Sequence, residues 1–302
     1  MGKGKKKVSR KTIPACLEGF AALCTEGWLQ GWHERNGGNL SYRLTACDRA
    51  AMMAWAPFVD AVPQPWVPLP HPEPELAGAW LLVTGSGRHM RLVAQQLATH
   101  VGLIELDEQG AAWRVLWGLE DGGRPTSELP THLVAHGVRM AATQGAARVV
   151  YHAHTPNLIA LSYALPAEDR AVTRVLWKTL PECVMTVPEG VGVVGWGVPG
   201  SQELAEATRA KMGEYAAVLW ALHGLFCTGE TFDETLGLAH TLEKAAQIHR
   251  YARQMNNGSD MFWQTIPDEG LRAAAEAAGV VANERFLNEP PRERVCGFVG
   301  PQ

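Results

Sequence analysis

Two histidines separated by one residue follow an apolar segment near the middle of the chain. Residues 147–156 read ARVVYHAHTP and end in His152, His154 and then Pro156. In a β-strand residues i and i+2 share a face, and a rise of about 3.3 Å per residue places their Cα atoms about 6.6 Å apart. Two imidazoles at that spacing can converge on one metal ion. For this pair alone, hydrogen bonds to carbonyls or water are the simpler interpretation.

A third histidine changes that balance. The segment AAVLWALHGLFCTG predicts another buried strand, with His223 standing before a glycine. Three histidines at the ends of two core strands can hold zinc and leave one coordination position open. A competing arrangement is the stripe Glu128, His132 and His136, at helical spacing. It is compatible with a metal, although an amphipathic helix with solvated histidines explains it well.

Glu128 opens a predicted helix in RPTSELPTHL, over about residues 127–144. A carboxylate in a first helical turn is favourable to the helix dipole, and beside a metal it could act as a base. Three predicted turns contain glycine or small polar residues: NGGN at 36–39, TGSG at 84–87 and Thr-Ser at 126–127. Each alone is explained by the conformational needs of a turn. Together they could form an anion site from backbone N–H groups, hydroxyls and amides.

The composition narrows the class of protein. The chain has 302 residues, of which 46% are hydrophobic, so one large domain or two ordinary ones can be built. A net charge of −4 argues against a general nucleic-acid binder. Six scattered cysteines without a CxxC pair suit reduced thiols in a cytosol. The basic start is not followed by the apolar segment of a secretory signal. No stretch of the sequence is apolar for long enough to span a membrane, so a cytoplasmic protein is expected.

The pattern of elements predicts an α/β fold. We expect a single-domain mixed sandwich over residues 12–283, in which a largely antiparallel central sheet is covered by helices. A basic flexible tail at 1–11 and a C-terminal tail at 284–302 flank it, and seven prolines make residues 57–78 an extended surface loop. VGLIELD and AWRVLWG are expected to form a hairpin, and VMTVPEG a further strand. No glycine-rich nucleotide motif is present.

Seven segments in order carry a resemblance to a known family: ERNGGNLS, TGSG, PTSELPTHL, YHAHTPNLIALSY, PECVMTVPEGVG, LWALHGLF and TFDETLGL. They resemble the class II aldolase/epimerase family over nearly all of residues 12–255. The HxH pair with a distant His-Gly, and the Ser-Glu before a helix, are the marks of that family. The loop at 50–78 aligns poorly.

The resemblance implies roles for individual residues. One zinc ion per subunit would be held by His152, His154 and His223, with Glu128 close to it and Asn39 near the substrate. Glu182, which alone would pass for a loop carboxylate, would be a second acid/base that reaches the site across a subunit boundary of a homotetramer. Phosphate contacts are implied for five residues: Asn36, Gly38, Ser86, Gly87 and Ser127.

The implied reaction is the reversible retro-aldol cleavage of L-rhamnulose 1-phosphate to dihydroxyacetone phosphate and L-lactaldehyde, with zinc as the Lewis acid. Glu128 would move the proton of the dihydroxyacetone phosphate half, and Glu182 would assist at the departing aldehyde. Two alternatives on the same fold are cleavage of fuculose 1-phosphate and 4-epimerisation of a pentulose 5-phosphate. A third is a non-catalytic scaffold protein, as in the adducin head.

Overall fold

A computed structural model of the protein describes residues 12–56 and 64–288. The predicted basic tail at 1–11, residues 57–63 of the proline-rich segment, residues 289–302 and Cys296 lie outside the described residues. The predicted domain bounds at 12 and 283 stay predictions. Five cysteines fall within the described ranges, and all five are free thiols.

One sheet organises the described part of the chain. Its nine strands run in the order β2-β5-β4-β3-β1-β6-β9-β8-β7, and only the β7–β8 pair is parallel. The strands are β1 (Asn39–Arg43), β2 (Val67–Pro68), β3 (Trp80–Thr84), β4 (Val101–Leu106), β5 (Ala112–Gly118), β6 (Val149–Ala153), β7 (Gly192–Val194), β8 (Ala217–Trp220) and β9 (Gly224–Gly229). The predicted antiparallel sheet and the β4–β5 hairpin are confirmed.

Helices cover both faces of this sheet. They are α1 (Ala15–Leu29), α2 (Ala46–Trp55), α3 (Leu97–His100), α4 (Leu129–Ala142), α5 (Pro156–Ala164), α6 (Asp169–Thr179), α7 (Glu182–Thr186), α8 (Gln202–Met212), α9 (Phe232–Met255) and α10 (Asp268–Ala277). Within the described ranges, every helix is too short or too polar to cross a membrane.

The strand β3 shows how the two faces are filled. Leu82 packs into the large core with residues of α1 and α9, whereas Leu81 and Val83 pack into a smaller cluster with Leu133 of α4. All of these side chains are buried. Because successive strand residues point to opposite faces, a strand buried on both sides is apolar throughout, as WLLV is. The fold is therefore the predicted mixed sandwich with helices on both faces.

Two predicted strands are wrong in detail. VMTVPEG does not form a strand: Glu182–Thr186 is the short helix α7, which follows Pro181 and buries Cys183 and Val184. The alternating Val and Thr residues favoured a strand, but packing of α7 against α6, α9 and α10 decides the outcome. AVLWALHGLFCTG is a hairpin rather than one strand, since the chain reverses between β8 and β9, where Leu222 has a φ of 64°.

The described part of the proline-rich segment, which was predicted to be an extended surface loop, contributes to the sheet and to the core. Val67 and Pro68 pair with β5 at the edge of the sheet, where a proline costs no ladder bond. Leu76 is completely buried, and Glu73 is buried in an ion pair with Arg209 of α8.

A close contact fixes α1 against the strand that carries the first histidine. Tyr151 of β6 is fully buried, and its hydroxyl lies 2.7 Å from Nε2 of the buried His33. A Cβ added to Gly27 of α1 would lie 2.1 Å from the Tyr151 hydroxyl oxygen and 2.6 Å from His33 Nε2. The absence of a side chain at Gly27 is therefore what lets α1 approach β6.

Gly27→Ala should destabilise the protein by roughly 1–3 kcal/mol, since a well-packed core resists an added methyl group. Gly237→Ala is the matched control in α9, because a Cβ there meets nothing within 4 Å. The control should stabilise the helix by about 0.5–1 kcal/mol through its higher helix propensity. Urea unfolding of both variants measures the two effects. Equal midpoints for the two variants would contradict the close α1–β6 packing.

Candidate metal centre and active site

Three histidines from two parts of the sheet converge at one point. His152 belongs to β6, His154 follows that strand, and His223 lies in the turn between β8 and β9. Their ligand nitrogens all lie within 4.8 Å of one another. In the described part of the chain, no other group of three His, Cys, Asp or Glu side chains comes so close together. The three predicted metal ligands are thus brought together.

The nitrogen atoms of this group fit a metal ion. His152 Nδ1 donates to the carbonyl oxygen of Leu225 at 2.9 Å, which leaves Nε2 as the lone-pair nitrogen. That Nε2 atom and Nδ1 of His223 are buried without a hydrogen-bond partner among the described residues. Burial, together with the neighbouring histidines, lowers the pKa of His152 well below its ordinary value and that of His223 to about 4. Neutral imidazoles with unused lone pairs are what a metal requires.

The NGGN turn packs directly against the histidines. His154 Nδ1 lies 2.6 Å from Oε1 of Glu34, and a Cβ on Gly37 would lie 2.9 Å from both of these atoms. A Cβ on Gly38, whose φ is 71°, would lie 2.7 Å from the carbonyl oxygen of His152. The turn therefore needs glycine at both positions. Glu34 orients His154 as carboxylates commonly orient metal-binding histidines.

Glu128 lies beside this group at the N-cap of α4. Its carboxylate is buried, and Oε2 lies 3.9 Å from His152 Nε2. Oε2 also accepts a hydrogen bond of 2.9 Å from Nδ2 of Asn39, the residue paired with His152 across β1 and β6. Burial raises the pKa of Glu128, and the Asn39 hydrogen bond and the charge of His154 partly oppose that rise. A buried carboxyl group with a raised pKa, close to a metal centre, suits a general base.

The stripe on α4 has a different role from either predicted one. His132 and His136 are buried rather than solvated, and they are not part of the three-histidine group. Ser41 Oγ lies 2.7 Å from His132 Nδ1 and 2.8 Å from His136 Nε2. His132 Nε2 is hydrogen-bonded to Oδ1 of Asn39. The two histidines of the stripe are therefore joined to Glu128 by a chain of hydrogen bonds through Ser41 and Asn39.

Two of the predicted phosphate-binding turns lie side by side. Gly85 and Pro125 form a β-bridge, and the backbone N–H of Ser86 donates to the carbonyl oxygen of Arg124 at 2.7 Å. The same region adjoins β1, because Thr84 Oγ1 accepts the N–H of Leu40 at 3.1 Å. The side chains of Ser86 and Ser127 are exposed beside this bridge.

The other members of the predicted phosphate group are placed less closely. Gly87 follows Ser86 with a φ of 71°, and a Cβ there would meet nothing within 4 Å. Asn36 is exposed in the turn that leads through Gly38 into β1. Among the described residues, no hydrogen bond joins Asn36 to Ser86. The phosphate-binding roles stay predictions.

Glu182 is not part of the three-histidine group. It is the exposed first residue of α7, and among the described residues it forms no hydrogen bond or ion pair with His152, His154 or His223 of its own chain. A task at the site of a neighbouring subunit stays a prediction. Two residues of the site were missed from the sequence: Glu34 and Ser41. Glu34 could have been noticed as the acidic residue before the NGGN turn, whereas nothing in the sequence distinguishes Ser41.

Comparison with known proteins adds independent findings. Residues 18–250 match the family described as Class II Aldolase and Adducin N-terminal domain. The chain is 42% identical over 272 residues to a rhamnulose-1-phosphate aldolase of Pectobacterium atrosepticum, which covers 90% of this chain and 96% of the relative. It is also 42% identical over 264 residues to the protein of the same name from Shigella boydii, covering 87% and 93% of the two chains.

Solved structures agree with the architecture. A sugar-phosphate aldolase from Thermotoga maritima superposes with a TM-score of 0.65 at 27% identity, covering 81% of this chain and 97% of that one. An L-fuculose-1-phosphate aldolase from Thermus thermophilus superposes with a TM-score of 0.51 at 20% identity, covering 82% and 98%. The second likeness is one of fold alone.

His154→Ala should abolish metal retention while the fold persists, because the remaining two imidazoles cannot complete the three-nitrogen site. His249→Ala is the matched control, since His249 is a buried histidine of α9 outside the group. Both proteins would be loaded with zinc, dialysed and assayed for metal and circular dichroism. Full metal content in His154→Ala would rule out the three-histidine centre.

Proposed function

The chain belongs to the class II aldolase and adducin N-terminal domain family, and from this membership we propose that it cleaves L-rhamnulose 1-phosphate to dihydroxyacetone phosphate and L-lactaldehyde. It is a class II aldehyde lyase, as the relatives at 42% identity over about nine-tenths of the chain support. The observation that carries the proposal is the buried Glu128 carboxylate, 3.9 Å from His152 in the three-histidine group. A scaffold protein would have no need of this arrangement.

The metal of this site is proposed to be one zinc ion per subunit, held by His152, His154 and His223. Three imidazoles with an open fourth position are the donor set of many catalytic zinc centres. When bound, zinc would supply Lewis-acid chemistry toward the substrate oxygens. The two buried nitrogens without partners support this assignment, because a structural histidine would normally have both ring atoms satisfied.

Glu128 is proposed to move the proton on the carbon of the dihydroxyacetone phosphate half. A base for this step must take the proton in one direction and return it in the other, so its pKa should lie closer to neutrality than that of an exposed glutamate. Burial raises the pKa of Glu128 in that direction. Asn39 donates to one carboxylate oxygen at 2.9 Å, which holds the group in place for the transfer.

Glu182 is proposed to assist at the departing aldehyde from a neighbouring subunit of a homotetramer. Its exposure at the start of α7 supports this, since an exposed carboxylate is free to enter another chain's site. The phosphate is proposed to lie against the exposed turns of Ser86–Gly87 and Ser127, with Asn36 and Gly38 completing the contacts. Backbone N–H groups and hydroxyls can bind a dianion there without a lysine.

A substrate assay separates this proposal from its alternatives. L-Rhamnulose 1-phosphate and L-fuculose 1-phosphate give the same two products and differ in configuration at carbon 4, so their specificity constants compare recognition at the aldehyde end directly. A pentulose 5-phosphate tested for epimerisation completes the set. We expect the highest specificity constant with L-rhamnulose 1-phosphate. A preference for either other sugar would replace the proposed substrate but keep the family assignment.

Glu128→Gln should reduce proton exchange between dihydroxyacetone phosphate and deuterated solvent by roughly 100-fold or more, because the amide keeps the shape and removes the base. Bound zinc should stay. Glu182→Gln is the comparison: cleavage should slow while exchange continues, since its proposed task lies at the aldehyde.

Loss of exchange in Glu182→Gln with normal exchange in Glu128→Gln would show that the two glutamates have the opposite roles. Normal exchange and normal cleavage in both variants would contradict the proposed mechanism altogether.

Ser86→Ala should weaken binding of dihydroxyacetone phosphate by on the order of 1–3 kcal/mol, as expected for the loss of a hydrogen bond to a charged group. Metal content should not change. Ser259→Ala, an exposed serine beyond α9, is the matched control. Calorimetric titration of both variants is the measurement, and equal affinities would remove Ser86 from the phosphate site.

A further inference from the structure

The amide of Asn39 is hydrogen-bonded at both ends. Its Nδ2 donates to Oε2 of Glu128 at 2.9 Å, and its Oδ1 is hydrogen-bonded to Nε2 of His132. This is the only hydrogen bond that the described part of the chain gives to the Glu128 carboxylate. If the amide were rotated by half a turn, Oδ1 would face the carboxylate and the two acceptors would repel each other. The hydrogen-bond donor to Oδ1 therefore determines whether the N–H group of Asn39 faces the Glu128 carboxylate.

His132 is suited to hold Asn39 Oδ1 because one of its ring nitrogens is a fixed donor and the other a fixed acceptor. Burial lowers the pKa of His132 to about 3, so the ring is neutral and carries one N–H. Asn39 Oδ1 can only accept, so the proton is on Nε2 and Nδ1 is the acceptor. The hydroxyl of Ser41, 2.7 Å away, donates to Nδ1 and in turn accepts Nε2–H of His136 at 2.8 Å. Each donor in this chain points toward Glu128.

We propose that His132 is a positioning residue for the aldol reaction, which fixes the Asn39 amide so that its N–H group holds the Glu128 carboxylate in its working orientation. His132 is not part of the three-histidine group, and its hydrogen bond to Asn39 is its link to Glu128, so it would act through Asn39. This inference rests on the base role proposed for Glu128. Its physical basis is that a displacement of about 1 Å in a catalytic group can reduce a rate by about 100-fold.

A matched pair of substitutions isolates the bond to Asn39. The side-chain amide nitrogen of glutamine reaches the place of a histidine Nε2, whereas asparagine places its amide near Nδ1. His132→Gln keeps a donor for Asn39, and His132→Asn keeps only a partner for Ser41. We expect His132→Asn to lower the exchange rate of dihydroxyacetone phosphate by about 10-fold or more, with its affinity and the zinc content unchanged. His132→Gln should stay within about threefold of the parent protein.

The controls separate positioning from stability. His249→Asn makes the same change at a buried histidine of α9 that lies outside the chain, and its exchange rate should equal that of the parent. Equal loss in His132→Asn and His132→Gln, in proportion to a loss of folded protein, overturns the inference. A normal rate in His132→Asn overturns it as well.

A further variant covers the case in which His132→Asn does not fold. Ser41→Ala removes the donor to His132 Nδ1 and releases the ring to exchange tautomers, so the exchange rate should fall by about threefold or more with zinc retained. An unchanged rate in a folded Ser41→Ala protein contradicts the inference. Absence of exchange in the parent protein would instead contradict the proposed function, so the two failures are distinguishable.

Discussion

The site depends on the pairing of β6 with a neighbour on each side. On one side His152 is the cross-strand partner of Asn39, which brings Asn39 and then Glu128 to the histidine. On the other side β9 presents the carbonyl oxygen of Leu225 to His152 Nδ1 and ends the turn that carries His223. A slip of one residue in either register would turn the strand's side chains to the opposite face. The hydrogen-bond ladders of β6 therefore fix the positions of both the candidate metal ligands and the proposed base.

Burial then gives the side chains around His152 their chemical character. On the inward side, the polar groups of Asn39, His132 and Ser41 satisfy one another, so their desolvation is offset by hydrogen bonds. Toward the ligand side, His152 Nε2 and His223 Nδ1 have no partner in the described residues. An unpaired buried nitrogen costs stability unless something binds it. The same strand end thus combines a satisfied network, which gives rigidity, with unsatisfied nitrogen atoms that could bind a cation.

The sequence predicted the parts of the site that follow from local spacing. His152 and His154 alternate along one strand, and the glycines around His223 and Asn39 mark chain reversals, so strand ends with polar groups could be expected. Residues whose partners are distant in the sequence and close only in the fold could not be found in this way. Ser41 is one of several polar residues in β1, whose sequence is NLSYR, and its contacts depend on a helix that begins 88 residues later at Leu129. The same limit explains VMTVPEG: β-branched alternation favours a strand, and tertiary packing against α9 made a helix.

The environment of Glu128 suits the role proposed for it, in which one carboxyl group serves both directions of an aldol reaction. Burial favours its neutral acid, because a charge is costly away from water. The Asn39 N–H group favours the carboxylate, and so would a cation on the neighbouring histidines. Opposed influences of this kind keep the two protonation states close in free energy. A group so balanced can accept a proton in cleavage and return it in condensation, provided that its orientation is fixed. The hydrogen bond from the buried amide of Asn39 is the contact that can fix it here.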